Sequence, residues 1–188
     1  MTGMTENVST AVLDSFDFGP YRSIVDVGGG EGGLLTAILQ AHDKATGTLF
    51  DLPSVAERGG HRIQAAGLAD RCECVGGDFF QAVPEGGDLY ILKWVLHDWD
   101  QAQSIEILKS CRRAMREDAK LLIVDTVIPS GNTSHPAKLI DLNMMVLCTG
   151  QERTEREFEN LLKATGFALT AITATQSPSS LIEATTRH

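Results

Sequence analysis

The sequence predicts an α/β protein with a doubly wound, mostly parallel β-sheet and an antiparallel edge. Along most of the 188 residues, short apolar and β-branched runs alternate with amphipathic stretches of helical periodicity. The first run leads directly into a cluster of glycines, which is typical of a buried parallel strand. Two apolar runs near the C-terminus follow each other without a helix between them, which predicts a hairpin at one edge of the sheet.

Seven runs have the length and composition of strands. They are mostly apolar or β-branched and are bounded by turn residues, and the last two are joined through Ser177-Pro178. In chain order they cover residues 24–27, 48–51, 71–75, 88–93, 120–128, 167–175 and 180–184.

Six stretches are predicted to be helices. The clearest is 101–115, which ends in arginines that suit the negative end of a helix dipole. Two capping boxes are predicted, one from Ser54 with Glu57 and one from Thr154 with Glu157. In chain order the helices cover residues 5–16, 34–39, 54–66, 101–115, 136–147 and 154–165.

Composition excludes several classes of partner. The net charge is −9, from 25 acidic and 16 basic residues, without a basic stripe that would bind nucleic acid or anionic lipid. No run approaches the ~18 apolar residues of a membrane span, and the N-terminus does not resemble a secretory signal. The four cysteines have neither disulfide nor zinc spacing. We therefore expect a cytoplasmic protein with reduced thiols and with no nucleic-acid or membrane partner.

A loop of glycines follows the first strand and opens the next helix, in a position where a ligand can approach the backbone closely. Gly28-x-Gly30-x-x-Gly33 satisfies the dinucleotide-binding fingerprint. The segment from Asp26 to Gly32 satisfies the looser glycine pattern of nucleoside-binding methyltransferases. Spacing alone leaves both ligands open, as well as a glycine-rich turn that binds nothing.

Two carboxylates follow later strands, at the edge where open α/β sheets bind nucleotides. Asp51 ends the second strand, 23 residues after Gly28, near the spacing of an acid that binds ribose hydroxyls. Its alternative role is a turn or helix cap before Pro53. Asp78 follows the third strand and could accept from the exocyclic amine of a base that Phe79 covers. An ordinary turn would explain the positions of Asp78 and Phe79 equally well.

His97 lies just beyond the fourth strand, and histidine is the common general base near neutral pH. A surface or core histidine is the alternative interpretation. Two acids could support the ring. Asp125 lies in the apolar fifth strand, where a carboxylate is costly unless it is paired. Glu152 precedes a helix, and its position there could equally be explained by the helix dipole or by a pairing with Arg153. Sequence spacing does not bring either acid to the histidine.

Six segments, in this order, resemble one family: VDVGGGEGG, TLFDLP, GGDFF, LKWVLHDW, IDLNMM and ERTEREF. Together they are similar to the S-adenosylmethionine-dependent O-methyltransferases of the plant caffeate/flavonoid and bacterial secondary-metabolite type, over nearly the whole chain. The resemblance implies the seven-stranded, Rossmann-like methyltransferase sheet. It also implies S-adenosylmethionine as cofactor, S-adenosylhomocysteine as product and a small hydroxylated aromatic acceptor.

The resemblance implies a role for each matching residue. His97 is the base that deprotonates the acceptor hydroxyl, and it is flanked by Glu152 and by Asp125, where many relatives carry glutamate. Asn143 and Met144 line the acceptor pocket, and no metal takes part. The implied cofactor contacts are Gly28, Gly30, Asp51, Leu52, Asp78, Phe79 and Lys93.

Relatives of this kind carry an N-terminal, mostly helical domain that forms a homodimer and closes part of the acceptor pocket. We expect that domain to be missing from this chain. Residues 1–20 are then a helical segment from the interdomain linker, and residues 21–188 are the cofactor-binding catalytic domain. Thr149 also replaces a common glycine, and Asp125 is shorter than glutamate. We therefore expect the chain to bind the cofactor but to methylate poorly by itself.

Two other functions stay open. A nicotinamide-dependent oxidoreductase would share the glycine fingerprint, but neither Tyr21 nor Tyr90 begins a Tyr-x-x-x-Lys relay. Val25 and Trp94 stand four residues after them. The other possibility is a cofactor-binding accessory subunit, or an inactive fragment, of the same fold.

Overall fold

A computed structural model describes residues 2–128 and 151–187 of the chain. A single-turn 3₁₀ helix, Leu96–Asp98, follows the fourth strand. The elements in chain order are α1 (Thr2–Ser15), β1 (Ser23–Val27), α2 (Gly33–Ala41), β2 (Thr46–Asp51), α3 (Pro53–Ala65), β3 (Cys72–Gly76), β4 (Leu89–Lys93), α4 (Gln101–Ala114), β5 (Lys120–Asp125), β6 (Val127–Ile128), β7 (Arg153–Thr154), α5 (Glu155–Ala164), β8 (Phe167–Ala174) and β9 (Ser180–Thr186).

Seven strands form one sheet in the order β3-β2-β1-β4-β5-β9-β8. The pairs from β3 to β5 are parallel, and β9 runs antiparallel between β5 and β8. The chain builds outward from β1 to β3 and then returns to place β4 beside β1. Ligands of open α/β sheets bind at such a reversal, outside the carboxyl ends of the strands. The predicted fold class is confirmed, and the site is expected between β1 and β4.

The two faces of the sheet are covered by separate apolar clusters, which follow from the alternation of side chains along each strand. Val25 of β1 lies in the cluster that contains Leu108 of α4, whereas its neighbour Ile24 lies in the cluster of α2. Helix α1 belongs to this second cluster, because Val8 and Val12 are buried in it. Burial of two valines stabilises α1 by roughly 1.5–3 kcal/mol per side chain and holds it at the carboxyl edge.

Local signals predicted some boundaries and missed others. The capping box of α5 is confirmed: Thr154 is the N-cap, and Glu157 bonds back to it. The second predicted box is wrong, because Pro53 takes the first turn of α3 and makes Leu52 the N-cap, without a side-chain cap. The predicted strand 120–128 is two strands, since the chain leaves the main sheet after Asp125.

The predicted helix 136–147 lies outside the described residues. Among the helices of residues 2–128 and 151–187, none has the length and apolar composition needed to cross a membrane.

Candidate active site

The glycine loop packs directly on the end of β2. Gly28 and Gly30 have φ angles of 68° and 61°, which favour glycine strongly. The backbone N–H of Gly28 donates to the Phe50 carbonyl at 2.8 Å. A Cβ atom at Gly28 would come within 2.8 Å of Val95, so no larger residue fits without movement. Asp51 fixes the loop from the other side, because its Oδ2 accepts from the Gly30 N–H at 2.8 Å.

A cavity of about 690 Å³ opens beside this loop, within the size range of small-molecule sites. Its walls come from the glycine loop, from the end of β4 and from Ser9 and Thr10 of α1. Of the predicted cofactor residues, Gly28, Gly30 and Lys93 line it. The cavity lies at the switch between β1 and β4, where the topology predicted a ligand.

Asp26 is a candidate site residue that the sequence analysis did not select. Its side chain is fully buried at the end of β1, and neither carboxylate oxygen has a hydrogen-bond partner among the described residues. A Cβ atom at Gly29 would lie 2.6 Å from the Asp26 carboxylate, so this carboxylate lies directly beneath the glycine loop. Burial raises its pKa to about 6, although the charge of Lys93 opposes this. The sequence did contain a signal for Asp26, because a carboxylate inside the apolar run from Ile24 to Val27 is costly unless it has a function or a partner.

The remaining predicted cofactor residues lie along the same edge without lining the cavity. Leu52 is 57% exposed, which is unusual for a large apolar side chain in this structure. Asp78 closes its own turn, where it accepts from the Phe80 N–H at 2.9 Å. Phe79 packs edge-on against Trp99, with ring centroids 5.9 Å apart. It also lies beside the glycine loop, 3.6 Å from where a Cβ at Gly28 would stand.

His97 lies in the 3₁₀ turn after β4 and contacts three carboxylates. Its Nδ1 atom is 3.3 Å from Oδ1 of Asp125 and 3.8 Å from Oε1 of Glu152. Its Nε2 atom is 3.3 Å from Oδ1 of Asp98. Asp125 and Glu152 are almost completely buried, whereas the Asp98 side chain is 51% exposed. The structure therefore brings the three predicted catalytic residues together, with Nε2 on the open side.

Sheet register explains why these residues meet. β4 and β5 are parallel neighbours, with Lys93 opposite Val124, so the loop after β4 passes the end of β5, where Asp125 lies. The short strands β6 and β7 then pair in parallel, with Val127 opposite Arg153. Glu152 precedes that pair and is thereby drawn to the same point. Neither pairing is visible in sequence spacing.

The electrostatic surroundings favour a protonated imidazole. Burial alone lowers the pKa of His97, but the close contacts of its ring with the Asp125 and Glu152 carboxylates and the negative charges of Asp125 and Asp98 raise it to about 10. An imidazole with a pKa this high is protonated at neutral pH. A base at this position has to lose that proton before it can accept another.

The backbone just before His97 is strained. Trp94 has a φ angle of 57°, which is uncommon for a residue with a bulky side chain. Its indole N–H donates to Oγ of the buried Ser179 at 2.9 Å, and its ring lies 4.6 Å from the Lys93 ammonium. Asn143 and Met144, the predicted acceptor-lining residues, lie outside the described residues.

Comparison with known proteins gives one consistent family. The profile of the O-methyltransferase domain matches residues 1–168. The chain is 50% identical over 182 residues to the phenazine O-methyltransferase PhzM of Lysobacter antibioticus, and the alignment covers 97% of this chain and 53% of that protein. The chain thus spans about half the length of the curated relatives it matches.

Solved structures agree with the sequence comparison. The crystal structure of LaPhzM superposes with a TM-score of 0.93 at 50% identity, covering 98% of this chain and 55% of the other. NcsB1, an O-methyltransferase of neocarzinostatin biosynthesis, was solved with S-adenosylmethionine and 2-hydroxy-5-methyl naphthoic acid. It superposes with a TM-score of 0.84 at 32% identity, covering 98% of this chain and 57% of the other.

Proposed function

The chain belongs to the O-methyltransferase domain family, and from this premise we propose that it transfers a methyl group from S-adenosylmethionine to a hydroxyl of a small aromatic metabolite. The observation that carries the proposal is the group formed by His97, Asp125 and Glu152, which lies at the same sheet edge as the glycine loop. A general base next to a nucleoside-binding loop is the arrangement that this reaction requires.

The residues at the cavity fit the amino-acid end of S-adenosylmethionine, which carries one positive and one negative group. Asp26 offers a buried carboxylate without a hydrogen-bond partner among the described residues, which suits an ammonium group. Lys93 lines the cavity and suits a carboxylate. Asp51 would accept hydrogen bonds from the ribose hydroxyls, and Leu52 and Phe79 would flank the adenine. Bound S-adenosylmethionine supplies an electrophilic methyl group on a positively charged sulfur.

His97 is the proposed base for the acceptor hydroxyl. Because Nδ1 faces Asp125 and Glu152, the Nε2 atom is the one available to an acceptor on the open side. The two buried carboxylates orient the ring and stabilise the imidazolium that forms as the oxygen attacks. Charge on sulfur disappears in the same step, so the chain needs no oxyanion hole. Base catalysis of this kind contributes roughly 10²–10⁴-fold, and alignment of the reactants adds more.

We further propose a flat, hydroxylated aromatic acceptor. The names of the relatives support this class, since PhzM is named for a phenazine and NcsB1 was solved with a naphthoic acid. The residue assignments at the sheet edge, the boundary near residue 20, a homodimer for the full-length form and a cytoplasmic location are part of the same proposal.

Calorimetry separates this proposal from the oxidoreductase alternative. S-adenosylhomocysteine is titrated into the chain, and NAD is titrated under identical conditions. We expect saturable binding of the first ligand and none of the second. Binding of NAD with the reverse preference would refute the methyltransferase assignment. The accessory alternative is tested in the full-length form. There the proposed enzyme transfers a methyl group to a hydroxylated aromatic, whereas an accessory protein of the same fold binds S-adenosylhomocysteine without any methyl transfer.

A further inference from the structure

A fully buried arginine connects the two halves of the catalytic group. The side chain of Arg153 is the largest of the buried side chains in the described part of the chain, at 1% exposure. It begins in β7, next to Glu152, and extends towards the turn that carries His97. A buried guanidinium is costly unless its donors are satisfied, so its partners show what it holds in place.

Those partners bracket the histidine turn. One terminal nitrogen of Arg153 donates to the Leu96 carbonyl at 2.8 Å. The other donates to the Trp99 carbonyl at 3.0 Å and to Oγ of Ser104 at 2.8 Å. Leu96 and Trp99 stand immediately before and after the His97–Asp98 pair. A single rigid guanidinium therefore fixes both ends of the segment that presents His97.

The same side chain also fixes the distance between His97 and Glu152. Glu152 and Arg153 are adjacent in the chain, and the 2-residue strand β7 is paired only with β6 among the described residues. This short ladder gives weak support by itself. The bonds from Arg153 to the His97 turn supply a second attachment, which ties Glu152 to the ring it contacts at 3.8 Å.

Electrostatics keep Arg153 charged in this environment. Burial lowers its pKa, but the negative charges of Asp125, Glu157 and Glu152 oppose that shift. The guanidinium thus interacts through its charge with Asp125 and Glu152, which contact His97, while its hydrogen bonds go to the turn that carries the ring. Arg153 therefore acts on the position of His97 and not on the reacting atoms themselves.

We propose that Arg153 is the positioning residue that holds His97 against Asp125 and Glu152. This inference rests on the proposed function, in which His97 is the base. Lysine cannot replace arginine here, because a single ammonium lacks the planar fork that reaches carbonyls on both sides of the turn. Loosening the turn separates His97 from its acids, and its pKa then falls from about 10 towards the ordinary 6.5.

The test compares R153K with R156K, since Arg156 is an exposed arginine on the first turn of α5. The Cε1–Hε1 signal of His97 is followed by NMR titration in the chain, assigned from its loss in H97Q. Methyl transfer to a hydroxylated aromatic and binding of S-adenosylhomocysteine are measured on the same variants. The NMR titration needs no acceptor, so it tests the inference separately from the proposed activity.

We expect R153K to shift the His97 titration down by at least about one pH unit and to reduce kcat at least about tenfold. Its affinity for S-adenosylhomocysteine should stay within about twofold of the original chain, and R156K should match the original chain throughout. A titration and kcat equal to those of R156K would overturn the inference. A parallel loss of kcat and cofactor affinity would also overturn it, because that pattern indicates general structural damage.

A gentler variant decides the question if R153K fails to fold. Ser104→Ala leaves the guanidinium in place and removes one acceptor of Arg153, together with the longer contacts of the Ser104 hydroxyl to the Leu96 and Trp99 carbonyls at 3.5 and 3.4 Å. It should move the His97 titration in the same direction by a smaller amount, and an unchanged titration would contradict the proposed role. Failure of the proposed function would give a different result. In that case the unsubstituted chain would neither bind S-adenosylhomocysteine nor support methyl transfer.

Discussion

The Nδ1 atom of His97 lies 3.3 Å from Oδ1 of Asp125, a carboxylate that is only 1% exposed at the end of the fifth strand. This contact gives the ring a fixed orientation, with Nδ1 inward and Nε2 towards the open side. It also explains why the carboxylate is tolerated within an apolar strand, since burying an acid costs less free energy when it has a partner. The relationship underlies the predictions that follow.

Replacing His97 with glutamine should separate catalysis from binding. H97Q removes the proposed base while keeping a polar side chain of similar reach. We expect methyl transfer to fall roughly 10²–10⁴-fold, with S-adenosylhomocysteine affinity nearly unchanged by calorimetry. H61Q is the matched control, because His61 is exposed on α3. Full activity in H97Q would show that the base is another residue or that none is needed.

The rate should depend on pH with a defined sign. A base must be neutral, and the pKa of His97 is raised to about 10. The kcat/KM value, which reports the free enzyme, should therefore rise about tenfold per pH unit across neutral pH and level off near that value. The positive sulfonium opposes a charged ring, so the inflection in kcat should lie lower. A flat profile between pH 7 and 9 would contradict a base with this pKa.

Asp98 provides the internal comparison for that profile. It is 3.3 Å from Nε2, and its charge helps to raise the pKa of His97. D98N should move the kcat/KM inflection to lower pH. Measuring both proteins with the same acceptor cancels any ionisation of the acceptor itself. An inflection that does not move would show that Asp98 does not influence the titrating group.

Asp51 should contribute to cofactor binding through its charge. D51N keeps an oxygen that can accept from the Gly30 N–H but loses the charged hydrogen bonds proposed for the ribose. We expect S-adenosylhomocysteine to bind about 1.5–3 kcal/mol more weakly, or about 10- to 150-fold. D43N is the control, since Asp43 is exposed in the turn before β2. Equal affinities for D51N and D43N would remove Asp51 from the site.

Asp26 should make cofactor binding sensitive to acid. Its pKa is raised to about 6, and an incoming ammonium group favours the ionised form. The affinity for S-adenosylhomocysteine should therefore fall as pH drops below about 6, by up to tenfold per unit. D26N should bind weakly at pH 7.5 and lose this dependence, whereas D51N should keep it. Calorimetry between pH 5 and 7.5 makes the comparison, and an unchanged pH dependence in D26N would exclude Asp26.

Local signals account for what the sequence predicted. Apolar runs bounded by turns predicted the seven main strands, and the capping box at Thr154 was predicted because its two partners are three residues apart. The similar pair Ser54 and Glu57 failed for an equally local reason, since Pro53 claims the first helical position. Strand 120–128 was drawn too long because the break after Asp125 depends on pairing with distant residues.

The catalytic group shows where sequence reasoning stops. His97 was selected by its position after a strand, and its two acids were selected by their local sequence and given their catalytic role by a family resemblance. Their convergence depends on the register of β4 with β5 and of β6 with β7, which no local pattern reports. A pairing of Arg153 with Glu152 was only an alternative explanation for that acid. In the structure Arg153 donates to the carbonyls of Leu96, Gln151 and Trp99 and to Ser104, and such contacts leave no periodic signal.

A crystal structure of the protein with S-adenosylhomocysteine and a hydroxylated aromatic tests the central claim most directly. We predict the amino-acid end between Asp26 and Lys93, the ribose at Asp51 and the acceptor oxygen within hydrogen-bonding distance of Nε2 of His97, on the side of the sulfur. A nucleoside bound away from the glycine loop would contradict the account. So would a histidine ring whose Nε2 faces away from both the sulfur and the acceptor oxygen.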